Sequence, residues 1–293
     1  MIKELDDKFK SPEDDSHNHD VPDHKENDQI GDHYHDKHHI DSKGNHDDIK
    51  DSDFDIINSI YTSKRNLIFR ISLTGVFLAL ASCGSAFDML GEKFFRLPIN
   101  DVNLSIRYFD ILIICLSIGS LGPLFSSLLA VVIPWFHLLM DSDHTAMAML
   151  IDSFGYLLVV WVMWFSYYVV FRNSYIHKDP NRKKDLFKRW MPIVFFIPIV
   201  VIFYTIFTVL IIYVTDVYGE EDHEEVEHLV THLKGIFFHE HEEGAEDIWD
   251  NFKSHYVSST AIIFGFEILR FSLCYVFFAI IEPQIKKLNH RYR

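Results

Sequence analysis

Five ionisable side chains lie within or at the edge of long apolar runs of this chain and are its first candidates for chemistry: Arg107, Asp110, Asp152, Glu267 and Arg270. A charge at membrane depth is costly, so it pairs with an opposite charge, faces a polar cavity or serves a substrate pathway. On a helix, i,i+3 spacing lets Arg107 meet Asp110 and Glu267 meet Arg270. Each pair reads either as an internal staple or as part of a site. Asp152 has no local partner, and Tyr156 sits one turn further along the same face. Those two are expected to line a polar cavity.

A second group gathers at the helix ends. Trp135 and His137 close one apolar run, His144 follows with Asp141 and Asp143, Tyr213 closes another and Tyr256 opens the last. Aromatic residues at this depth form interfacial belts. Together they would also suit the mouth of a site for a flat, polar small molecule, with rings to stack on and a few groups to orient it.

Histidine forms the third group. Glu224, His228 and His232 recur at i,i+4 intervals and His239 and His241 follow, a pattern able to chelate Zn²⁺, Ni²⁺ or Co²⁺. In the N-terminal segment His17, His19, His33, His35 and the pair His38-His39 offer looser chelation. A solvated low-complexity spacer is the alternative for both tracts.

The elements that must position these residues follow from how charge is distributed. Mean hydropathy is only +0.05 over 293 residues, but the charge is segregated. Residues 1–65 hold 9 Lys/Arg against 18 Asp/Glu, and residues 216–255 hold 2 against 13. Between them lie apolar stretches of membrane-spanning length, in which every backbone polar group must be satisfied within its own helix. The sequence predicts an all-α membrane protein with six transmembrane helices: Leu67–Leu90, Leu104–Leu121, Pro123–Met140, Ala146–Phe171, Met191–Val214 and Tyr256–Ile281. The second and third are separated by Gly122-Pro123, which predicts a helical hairpin.

Basic residues set the expected orientation. Lys64 and Arg65, the 4–5 connection with Arg172, Lys178, Arg182, Lys183, Lys184, Lys188 and Arg189, and the end with Lys286, Lys287, Arg291 and Arg293 all fall on one side. The opposite loops hold only Lys93, Arg96, Lys234 and Lys253. Both termini are therefore expected in the cytoplasm, with 216–255 an extracellular acidic, His-rich loop. Within it Val226, Leu229, Val230, Leu233 and Phe237 predict a short amphipathic helix, with Trp249 and Phe252 as interfacial anchors. Residues 1–65 contain eight His and almost no apolar side chains before Phe54, and are expected to be a disordered tail.

Several functions are disfavoured. No Walker A run, Gly-rich dinucleotide turn, HExxH or GxSxG occurs, so no enzyme activity, own ATPase motif or intrinsic cofactor is expected. The acidic balance disfavours nucleic acid as a partner. Cys83, Cys115 and Cys274 all lie in apolar runs without a CxxC and read as packing residues. Along the first helix Gly75, Ala79 and Cys83 make a small-xxx-small stripe. It fits either close packing within the chain or docking of another membrane subunit.

Leu97-Pro98, Ile106-Arg107-Tyr108-Phe109-Asp110, Leu121-Gly122-Pro123-Leu124 and Pro134-Trp135-Phe136-His137 together resemble the substrate-specific S component of energy-coupling factor (ECF) transporters. The resemblance spans residues 66–290 in layout and short motifs. It implies six helices with both termini inside and capture of a vitamin-like micronutrient near the outer face. It further implies docking of the Gly75, Ala79 and Cys83 stripe, here short of strict alanine, onto a transmembrane coupling subunit driven by two ATPase subunits that hydrolyse ATP. It points to Asp152, Tyr156, Tyr213 and Tyr256 as substrate contacts. The long tail and the acidic loop depart from the compact family pattern. They leave open a divalent-metal transporter or metal-capturing protein, with a membrane scaffold or sensor as the third reading.

Overall fold

The computed structural model of the protein describes residues 33–35, 38–40, 46–55, 64–94, 97–99, 102–104, 108–140, 146–219 and 248–292. It is mostly helical, and five helical stretches are long and apolar enough to cross a membrane: Arg65–Gly91, Phe109–Phe136, Ala146–Val170, Arg182–Tyr213 and Tyr256–Arg291. In chain order the helices are α1 (Lys64–Phe94), α2 (Phe109–Met140), α3 (Ala146–Trp164), α4 (Arg182–Trp190), α5 (Ile193–Gly219), α6 (Ile248–Ser254) and α7 (Tyr256–Arg291). A π-helical turn, Phe165–Val170, continues α3.

The second stretch is one element in name only. Ser117 Oγ donates to Ser126 Oγ at 2.8 Å, yet residues nine apart on a straight helix are separated by about 13.5 Å along the axis. The chain must reverse between them. It does so at Gly122, whose φ of 76° is open to glycine at little cost, and Pro123 then starts the return arm with a φ suited to a first helical turn. The arm before the hinge ends inside the protein, where the last carbonyls of a helix lack partners of their own. Three side chains supply them. Tyr175 Oη donates to Ile118 O at 3.2 Å, Asn289 Nδ2 to Gly119 O at 2.8 Å and Arg70 Nη1 to Leu121 O at 3.3 Å. Arg70 also stacks on the Tyr175 ring, with Cζ 5.6 Å from its centroid.

The same end of the bundle carries both ends of its helical chain. Asn66 Nδ2 reaches Tyr292 O at 3.5 Å, and the Phe69 ring stacks on Tyr292 at 4.3 Å. Two more contacts tie α4 in: Tyr275 Oη donates to Arg189 O at 2.7 Å, and Arg189 lies beside Glu282, itself paired to Lys286 at 2.8 Å. This end is called the hinge end below.

Short strands complete the fold. β1 (His33–His35), β2 (His38–Ile40) and β3 (His46–Asp48) form an antiparallel sheet in that order, and β4 (Leu97–Ile99) pairs with β5 (Val102–Leu104). The sequence predicts no structure for residues 1–65, whereas His39, Ile49 and Asp53 are buried. Their burial comes from the hinge end of the bundle, not from apolar residues of the tail, and Lys188 Nζ sits 4.8 Å over the Phe54 ring.

Element ends also differ from expectation. The second helix is predicted from Leu104, but Leu104 pairs with Leu97 in the β4–β5 ladder and the helix begins at Phe109. The last helix runs past Ile281 to Arg291, because Glu282, Lys286 and Asn289 are buried at the hinge end. Phe252 is fully buried against Ile212 and Ile263 and does not act as an interfacial anchor. The amphipathic helix predicted over residues 226–237 lies outside the described residues.

Candidate functional site

At the end opposite the hinge, the first backbone N–H groups of α2 have no intrahelical acceptors. Asp88 of α1 provides them. Its carboxylate accepts from the N–H of Tyr108 at 2.8 Å, of Phe109 at 2.9 Å and of Asp110 at 3.1 Å. This cap explains why the helix starts at Phe109. Arg107 itself lies outside the described residues. The partner of Asp110 is Tyr156 of α3, whose hydroxyl donates to Oδ2 at 2.5 Å across 46 residues of chain.

Around this bond gathers a buried polar cluster from four helices. Arg270 Nη1 of α7 lies 3.3 Å from Glu267 Oε2, one turn earlier on the same helix. Its guanidinium sits 5.1 Å over the ring of Tyr204 of α5, a cation–π contact strengthened by the dry surroundings. Tyr204 in turn stacks on Tyr156 at 6.4 Å. The approach of α3 to α5 depends on Gly155, where an added Cβ would stand 3.1 Å from the Tyr204 ring. Asp152 interacts electrostatically with Tyr156, Tyr204 and Glu267. Tyr108 borders the cluster at its edge. Burial first, and then the neighbouring Cys274 thiol, push its phenol up to about 12, so it remains a hydrogen-bond donor at neutral pH.

Two properties set the cluster apart. Among the described residues, Asp110, Asp152 and Glu267 bring three buried carboxylates to a cluster that holds one guanidinium, that of Arg270. The hydroxyls of Tyr108 and Tyr204 and the Nε of Arg270 have no hydrogen-bond partner among the described residues. Buried polar atoms are ordinarily satisfied, and each one that is not costs about 1–3 kcal/mol. Such atoms are suited to a polar guest.

The other predicted residues fall elsewhere. Tyr213 and Tyr256 are exposed and pack edge-on against Trp249 and Phe252, at 5.1 Å and 5.7 Å, while Trp135 is half-buried. The side chain of His137 and residues His144, Glu224, His228, His232, His239 and His241 lie outside the described residues. Tyr204, Asp88 and Arg70 are absent from the sequence-based site. Tyr204 had a signal, a single phenol in the otherwise apolar run Ile202-Phe203-Tyr204-Thr205-Ile206.

Gly75, Ala79 and Cys83 all face outward from α1. A Cβ built on Gly75 would meet nothing within 4 Å. Only 17% of the most apolar stretch of α1 is buried, against 61% for that of α2.

A separate cluster lies at the hinge end. His39 of β2, His177 of the segment between α3 and α4, and His290 of α7 bring their ring nitrogens within 4.8 Å of one another. Burial pushes the His177 ring down to about 4 despite the nearby Asp53 carboxylate, so at neutral pH it is an uncharged imidazole.

Comparison with known proteins gives sequence relatives and no more. No family model matches the chain. It is 30% identical over 118 residues to the uncharacterized protein MG147 homolog of Mycoplasma pneumoniae, covering 40% of this chain and 30% of that protein. It is also 30% identical over 114 residues to the uncharacterized protein MG147 of Mycoplasma genitalium, covering 39% of this chain and 29% of that one. The chain thus matches less than a third of the length of these curated relatives. No solved structure matches.

Proposed function

We propose that the protein is a bacterial, multi-pass membrane subunit that captures a small polar molecule in the Asp110–Tyr156–Arg270 cluster and passes it to a transport partner, as an S component of an ECF-type transporter does. The observation that carries this reading is the buried cluster itself: three carboxylates, one guanidinium and orphaned hydroxyl groups contributed by four helices. Intramembrane charges in such numbers mark pathways and ligand counter-ions. The surplus of carboxylates favours a cargo with a cationic or strongly hydrogen-bond-donating group, within the vitamin-like class.

Topology supports it. Counting the arms of α2 before and after Gly122 separately gives six passes, an even number consistent with Asn66 and Tyr292 meeting at one end. Lys188, Arg189, Lys286 and the neighbouring basic residues collect at that end, which makes it cytoplasmic by the charge rule. The cluster then lies toward the outer face. The outward-facing stripe of Gly75, Ala79 and Cys83 supports docking of the transmembrane coupling subunit, and two ATPase subunits would supply the energy.

Native mass spectrometry of purified protein tests the capture role: a retained small molecule is expected, and is lost in Asp110→Asn and Asp152→Asn. Retention unchanged in both variants refutes the site. Gly75→Leu with Ala79→Leu is expected to abolish co-purification with the coupling subunit while sparing the bound molecule; assembly that persists refutes the docking role.

A further inference from the structure

We infer that His39, His177 and His290, with Asp47, form a binding site for one divalent cation of the zinc class, which fastens the N-terminal sheet to the hinge end of the bundle. The inference is independent of the transport reading.

It begins with the pleat. Successive side chains of a strand point to opposite faces, and β2 pairs with β3 so that His39 stands opposite Asp47 and His38 opposite Asp48. His38 is exposed and pairs with Asp48 at 2.6 Å on the solvent side. His39 is only 2% exposed and faces the bundle. The same alternation brings Asp47 Oδ2 to 3.1 Å from His290 Nε2 and 3.7 Å from His177 Nε2, between the two rings. Asp53 Oδ2 adds a further oxygen at 3.6 Å from His177 Nε2.

Three imidazoles and a carboxylate from four separate segments make a donor set of first-row character. Nitrogen donors select zinc and its neighbours over magnesium or calcium, which prefer oxygen. The three imidazoles each place a ring nitrogen within 4.8 Å of the others. Nitrogens around a tetrahedral zinc are about 3.4 Å apart, so ring rotations closing about 1.4 Å would complete the geometry. The three rings meet edge to face, with centroids 4.8 to 5.5 Å apart. A second observation points the same way. His177 is fully buried, and neither of its ring nitrogens has a hydrogen-bond partner among the described residues. An imidazole sequestered without a hydrogen bond loses its hydration for nothing, whereas a metal would use its lone pair.

The test uses the full-length protein, stripped with a chelator and titrated with Zn²⁺, and with Co²⁺ as the spectroscopic probe. His39→Ala and His290→Gln are each expected to weaken one tight equivalent by about 100-fold or more and to remove the visible absorption of four-coordinate Co²⁺. His38→Ala, one residue away on the solvent face, should change neither. Zn²⁺ should also slow proteolytic cleavage of residues 33–55 in wild type and not in His290→Gln. His290 is partly exposed at the end of α7, so its variant is expected to fold, as measured by unfolding without metal. Equal Zn²⁺ affinity and stoichiometry in wild type, His39→Ala and His290→Gln would overturn the assignment. So would unchanged proteolysis on adding metal to wild type.

Discussion

The two ends of the bundle spend their polar side chains differently. At the hinge end Arg70, Tyr175 and Asn289 donate to the main-chain carbonyls of Leu121, Ile118 and Gly119, and Tyr275 to that of Arg189. At the other end side chains bind side chains: Tyr156 to Asp110 and Arg270 to Glu267. A carbonyl at a helix end cannot move away to find another donor, so the first kind of bond holds the fold in one shape. A pair of side chains can exchange partners with a guest at little cost to the backbone. Each end has its exception: Asp88 caps α2 at the second end and belongs with the first kind, while the Lys286–Glu282 and His290–Asp47 pairs at the hinge end belong with the second.

The largest expected effect tests whether the Glu267–Arg270 pair is dispensable to the fold. Arg270→Leu alone should cost about 3–5 kcal/mol, because it leaves a buried carboxylate uncompensated. The double variant Glu267→Leu with Arg270→Leu should recover most of that loss in thermal unfolding while still failing to retain the small molecule. A double variant as unstable as the single would make the pair part of the fold and erase the contrast.

Next comes Asn289→Ala. It orphans the carbonyls of Gly119 and Tyr175 together and should cost about 2–3 kcal/mol, with no change in ligand retention once the protein is folded at low temperature. Tyr156→Phe sharpens the comparison from the other side. Interhelical hydrogen bonds in membranes average about 0.6 kcal/mol, so its unfolding temperature should barely move while retention falls. The smallest effect is expected of Asn181→Ala, which removes the cap on Lys183 and Lys184 N–H at the start of α4. About 1 kcal/mol of local stability should be lost, seen as faster amide exchange in α4 and unchanged binding.

Much of this architecture is legible in the sequence because lipid imposes length and Gly-Pro imposes a break. The apolar runs correspond to helices, and the reversal at Gly122-Pro123 needs only a residue open to positive φ followed by one that suits a new first turn. What is hidden is rotation. Helices apolar all round carry no periodic stripe to say which side faces inward, so Arg70 and Tyr204 give no sign of their direction. The start of α2 is hidden for another reason, because Asp88, about twenty residues upstream, accepts its first N–H groups and decides where it begins. The histidine cluster was illegible for a third reason. His39 belongs to a tract rich in histidine, but His177 and His290 are isolated in sequence, and only the closed bundle brings them beside it.

That closure bears on how the chain is made. His39 and Asp47 leave the ribosome before α1–α7, while His290, whose ring lies 4.8 Å from that of His39, comes near the end of α7. The first segment must therefore wait through the synthesis of the whole bundle for its last contact. A product truncated within α7 would keep its earlier helices and the His177 and Lys188 contacts, yet lose His290 and hold the N-terminal sheet on one side only.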